Sequence, residues 1–145
     1  MDVTVKVDFG GIAEKLDELG PKLARKALRK GVTAVGNMWV TEMKSRVHVD
    51  SGDLRDSIAK KVTTTKKGDA LSARVVVGPT YDSKNGKPGD SSQSPGTYAL
   101  FEEFGTKSMP ASPFMRPTFD STAEKAVQLL ADTLRSDLDE VVRSK

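Results

Sequence analysis

His48 is the one histidine of this chain, and cysteine is absent. Multi-histidine metal sites, disulfides, thiol catalysis and cysteine-ligated zinc or iron–sulfur centres are therefore excluded. A Ser/His/Asp triad needs a single histidine, and Asp50, Ser51 and Asp53 stand near His48 in the sequence. Nothing in their spacing positions a nucleophile, a base and an orienting acid, and no G-x-S-x-G elbow occurs. His48 reads as a surface or capping residue. Asp50, Asp53 and Asp56 form a sparse acidic group, but an EF-hand loop needs a closing glutamate where this chain has Lys61. Glu102 and Glu103 are adjacent, and adjacent side chains on a helix diverge, so they do not converge on one bond. They read as a charged rim around aromatic residues. No catalytic, cofactor-binding or metal-ligating residue is expected, and no enzymatic activity.

Two other groups could bind. Lys22, Arg25, Lys26, Arg29 and Lys30 keep one stripe of a helical pattern, either as a solvated face or along a phosphate backbone. No aromatics are interleaved to stack bases, and no phosphate loop or zinc-finger spacing accompanies the stripe. Tyr98, Phe101, Phe104, Phe114 and Phe119 crowd into 22 residues. Core packing and a subunit interface have equal claim on them. Net charge is +3, a mild value. Its distribution is uneven: from Lys22 to Arg46 there are seven basic residues and one acid, whereas from Phe119 onward acids outnumber bases six to four. Charge contact between neighbouring subunits is one use for this asymmetry; two solvated faces are the default.

The elements that must position these groups follow from periodicity. The length fits one domain, residues 1–145, with one core. No apolar run is long enough for a membrane span, and the first residues lack the pattern of a signal peptide. Val3, Val5, Val7 and Phe9 alternate with polar residues as in a half-buried strand. Ile12 to Leu19 predicts a short helix, and Gly20-Pro21 separates it from a second, running from Pro21 to about Val47. A helix of that length spans roughly 40 Å. Gly31 and Gly36 weaken it by about 1 kcal/mol each, which close packing of another element would offset. Ser51 or Asp50 is expected to cap a short turn through Leu54 and Ser57. Ile58–Lys66 and Leu71–Val77 predict a hairpin around Lys67-Gly68-Asp69. Residues 80–96 predict a long, flexible loop that becomes ordered on assembly. Thr97–Phe104 predicts a short helix, and Lys107–Pro113 an irregular segment. Pro117 is expected to open a terminal helix with Phe119, Ala123, Ala126, Val127, Leu130, Leu134, Leu138 and Val141 on one face. The sum is an α+β domain: a small antiparallel sheet of about three or four strands against a long helix of the first half, plus a long C-terminal helix.

The stretch Tyr98-Ala99-Leu100-Phe101-Glu102-Glu103-Phe104-Gly105-Thr106, followed by Met109-Pro110-Ala111-Ser112-Pro113-Phe114-Met115-Arg116-Pro117, resembles the signature of the HK97 gp10-like family of tailed-phage proteins. An upstream segment, Ser51-Gly52-Asp53-Leu54-Arg55-Asp56-Ser57-Ile58, is similar to that family's second motif. Ser51 stands there for a more usual threonine, and Val49 lies where a proline is frequent. The resemblance runs from Pro21 into the terminal helix. It implies a virion structural protein without cofactor: a neck or tail-completion subunit in a cyclic ring, hexameric or dodecameric by analogy. Its partners would be further copies, portal or connector proteins, and tail-tube or terminator proteins. Non-specific contact with packaged DNA is compatible with it, and a membrane is not implied. A tail terminator or other minor tail component is the near alternative. A small basic DNA-binding protein, resting on Lys22–Lys30, is the alternative of another class.

The motif residues carry physical reasons of their own. Gly105 permits a positive φ or close backbone approach. Pro113 and Pro117 stiffen the connection. Arg116 is within reach of Glu102 or Glu103, where an arginine–carboxylate fork would fix the angle of the terminal helix.

Overall fold

The computed structural model describes residues 11–48, 52–68, 70–79 and 95–144. Their elements are α1 (Ile12–Glu18), α2 (Pro21–Arg46), α3 (Asp53–Ser57), β1 (Ile58–Lys67), β2 (Ala70–Pro79), α4 (Pro95–Phe104) and α5 (Met115–Arg143). The class is α+β, with a long helix in the N-terminal half and another at the C-terminal end. Among the described residues the sheet has two strands, β1 beside β2, rather than three or four. The alternating segment Val3–Phe9 lies outside the described residues. The aromatic segment after residue 94 is helical, so among the described residues nothing extends the sheet.

The chain divides into two compact units. One contains residues 1–37, 62–75 and 123–145, and the other residues 38–61 and 76–122. In the first, Ala27, Leu134 and Leu138 are buried together, with Leu16, Leu19, Leu28 and Leu130 packed on them. These residues recur at the three- and four-residue spacing that puts one helix face inward. At Gly31 α5 packs tightly on α2: a β-carbon there would lie 2.7 Å from a methyl of Leu130. Lys30 leaves the basic stripe and pairs with Asp137 on α5. The hydrogen bond that Lys30 donates to Asp137, and then the charge of that carboxylate, raise the Lys30 pKa above the ordinary lysine value. Arg25 donates from Nε to Thr64 Oγ1 on β1 at 3.0 Å.

In the second unit the core is Met43, Val47, Ile58, Ala99 and Phe114, with Val40, Leu54, Val77, Met115 and Phe119 packed around it. Met43 and Phe114 are essentially inaccessible, and each such burial is worth roughly 1.5–3 kcal/mol. Trp39 meets Phe119 edge-to-face at 5.0 Å and donates from Nε1 to Thr122 Oγ1 at 3.2 Å. Thr118 and Thr122 are buried, and each hydroxyl donates to the carbonyl four residues earlier. Threonine is thereby accommodated inside a helix without an orphaned hydroxyl.

Three local expectations change. Gly52, not Ser51 or Asp50, caps α3, with φ of +88° and no side-chain cap bond. A left-handed residue at that junction requires glycine, and residues 49–51 lie outside the described set. The terminal helix starts at Met115, two residues before Pro117. The loop expected over 80–96 ends earlier: Pro95 and Gly96 are buried in the first turn of α4, and residues 80–94 lie outside the described set.

Candidate functional site

α4 is turned the opposite way from an ordinary amphipathic helix. Its buried residues are Pro95, Gly96, Ala99 and Glu103. Its large side chains point out: Tyr98 is 53% exposed, Leu100 45%, Phe101 41% and Phe104 61%. Met109, just beyond the helix, is 39% exposed. The inward stripe is small because α4 lies close against its neighbours. α3 packs on it, and Leu54 and Ala99 join the same apolar cluster. The two sequence motifs, some 40 residues apart, thus come together in one unit. Within α3, Ser57 Oγ donates to Leu54 O at 2.7 Å, while Arg55 points outward beside Asp56.

Glu103 is the exception on the buried stripe, a carboxylate only 3% exposed. It accepts three backbone N–H bonds, from Phe114 and Met115 at Oε2 (2.8 and 3.0 Å) and from Arg116 at Oε1 (3.0 Å). These are the first amides of α5. A helix start leaves four N–H groups without intrahelical partners. Glu103 takes three of them, and the fourth position is Pro117, which has no N–H. The negative charge also sits at the positive end of the 29-residue helix, where it is favoured. Arg116 Nε lies 3.6 Å from Glu103 Oε1, and its guanidinium carbon stands 4.8 Å over the Phe104 ring. This is a single contact plus a cation–π stack, not the two-pronged fork expected from sequence. Glu103 is therefore not a rim residue; Glu102 is half-buried, and its carbonyl accepts from Ser112 N–H at 2.7 Å.

The link between α4 and α5 is folded on itself. Gly105 has φ of +73°, and a β-carbon would lie 2.8 Å from Ala111 N and 2.9 Å from Met109 O. Thr106 N–H donates to Met109 O at 2.8 Å, and Thr106 Oγ1 accepts from the N–H groups of Ser108 and Met109. Pro113 is exposed, and the next residue, Phe114, is buried in the core.

The aromatic group of the sequence is split by the fold. Phe114 and Phe119 serve the core, whereas Tyr98, Phe101 and Phe104 form an outer ridge. The basic stripe is split as well. All five residues are exposed, but Lys30 and Arg25 also bond inside their own unit. His48 is exposed at the end of α2, and the side chains of Asp50, Ser51 and Asp53 lie outside the described set. Among the described residues no group of acidic or histidine side chains could hold a metal ion, and no helix is long and apolar enough to cross a membrane. Sequence reasoning missed Glu103 as the cap of α5. The available signal was the second of two adjacent glutamates, eleven residues before Phe114, with prolines on both sides of the helix start.

A family model described as "Bacteriophage HK97-gp10, putative tail-component" matches residues 11–105. The match takes in Gly52–Ile58 and Tyr98–Gly105 and stops before the proline-rich segment that opens α5. No curated protein and no solved structure gives a match.

Proposed function

The chain belongs to the HK97 gp10-like family of bacteriophage proteins, and from that premise we propose that it is a ring-forming subunit at the joint between head and tail. As a structural component of the phage tail it works by contact. The observation that carries the reading is the outward ridge of α4. Exposed contiguous aromatics on a soluble surface mark interaction sites, and aromatic anchors dominate interface energetics. Here the ridge is held rigidly from behind, because Glu103 ties the same helix to the start of α5. In a ring with cyclic symmetry such a ridge meets a different patch of the next subunit, a heterologous contact. Portal or connector proteins on one side and tail-tube proteins on the other complete the set of partners, and the protein resides in the virion. No catalytic step is assigned to any residue, and no cofactor enters the mechanism.

Micrographs of particles made without this protein test the reading. Filled heads beside complete, unattached tails are the expected result. The family's description as a tail component favours a second reading, a tail terminator. Loss of a terminator would instead leave tails of irregular length, because nothing stops the tube from growing.

A further inference from the structure

We propose that the first half of α2, together with β1, forms a binding surface for the phosphate backbone of double-stranded nucleic acid, read without regard to base sequence. Lys22, Arg25, Lys26 and Arg29 are all exposed, and their spacing of three, four and seven residues puts them on one helix face about 10 Å long. Arg25 reaches across to Thr64, donating to its hydroxyl and, from a terminal guanidinium nitrogen, to its carbonyl at 3.3 Å. That contact turns one side of β1 toward the stripe. Lys66, two residues on and exposed, projects to the same side of the strand.

Charge within this unit is sorted. Among the described residues of Pro21–Asn37 and 62–75 there is no acid. The unit's described acids lie on α1 and α5, Asp2, Asp8 and Asp69 lie outside the described residues, and Lys30 is already paired with Asp137 and Glu140 on α5. The stripe's remaining cations, Lys22, Arg25, Lys26 and Arg29, thus keep their charge on one helix face.

A second copy offering its acidic α5 is the competing occupant. An interface between copies needs an apolar centre. Among the described residues, the exposed large hydrophobics, Val76, Tyr98, Leu100, Phe101, Phe104 and Met109, all belong to the other unit. A phosphate backbone needs only spaced cations and needs no apolar anchor. Among the described residues of this unit there is no aromatic to serve as the stacking platform that single strands require, which favours the duplex.

The test is fluorescence anisotropy of the full chain with a short duplex of random sequence across a salt series. Five phosphate contacts, from Lys22, Arg25, Lys26, Arg29 and Lys66, give a slope of about −4.5 in log affinity against log salt. The triple variant Lys22→Glu/Lys26→Glu/Arg29→Glu should lose at least tenfold in affinity at about 50 mM salt. The neutral triple Lys22→Gln/Lys26→Gln/Arg29→Gln guards against misfolding and should show an intermediate loss with a shallower slope. Lys125→Glu/Arg135→Glu on α5 should bind as the parent does. Absence of binding at low salt, or variants that bind like the parent, overturns the proposal. So does a charge-reversed triple that retains duplex binding but no longer self-associates, since the stripe would then face a second copy. None of these results bears on the α4 ridge, so ring assembly stands or falls separately.

Discussion

Replacing Glu103 with alanine strips the acceptor from three amides at once. Two oxygens and a negative charge are lost from a site sealed against water, and each unpaired donor carries a desolvation cost. The expected loss is about 3 kcal/mol, or roughly a 10 °C drop in melting temperature by calorimetry. Glu103→Gln keeps one good acceptor and should fall between that variant and the parent. Arg116→Ala is expected to be much milder, about 1 kcal/mol, because its ion pair is half-solvated and the Phe104 stack is its main contact. Should Arg116→Ala prove as damaging as Glu103→Ala, the guanidinium rather than the backbone amides would be what holds α5. Gly105→Ala combines a left-handed φ with backbone atoms closer than any β-carbon tolerates. A loss of at least about 2 kcal/mol is expected there, whereas Gly31→Ala meets only a movable leucine methyl and should cost less. Lys30 bears on pH. Its folded pKa lies above the unfolded one, so the pair's contribution is fully present below the unfolded value and lost as pH rises through the folded one. Melting curves of the parent and of Asp137→Asn should therefore run parallel between about pH 6 and 9.

At the scale of elements, what was legible in the sequence was what periodicity records. The apolar rows of α2 and α5 and the hairpin around Gly68 fall close to where alternation and three–four spacing put them. Helix starts were less legible, because a start is set by whichever group satisfies the free amides. Pro117 looked like the first residue of α5, yet a carboxylate eleven residues upstream of Phe114 moved the start to Met115. The orientation of α4 was hidden for a related reason. Its aromatics suggest a buried face, and only the neighbouring elements decide that Ala99 and Glu103 go inward. Ser51 and Asp50 looked like caps for α3, but the junction takes a left-handed residue, which only Gly52 supplies without strain. The apolar ridge makes an element-scale prediction. Phe101→Ser/Phe104→Ser should leave the melting temperature within a few degrees of the parent, since neither ring contributes to a core cluster, while self-association measured by light scattering should fall sharply.

At the scale of the whole chain, the two units differ in the surface each carries. Among the described residues, the unit containing residues 38–61 and 76–122 carries the exposed aromatics, and the other carries the stripe of Lys22, Arg25, Lys26 and Arg29. The aromatic ridge suits protein contacts, where desolvated anchors supply the binding energy, and the cationic stripe suits a polyanion. The central claim concerns the ridge, and the most direct measurement is electron microscopy of particles assembled with the Phe101→Ser/Phe104→Ser chain in place of the parent. Filled heads and finished tails lying apart, from a variant that melts normally, is the expected picture. Joined, infectious particles at the parent's yield would contradict it.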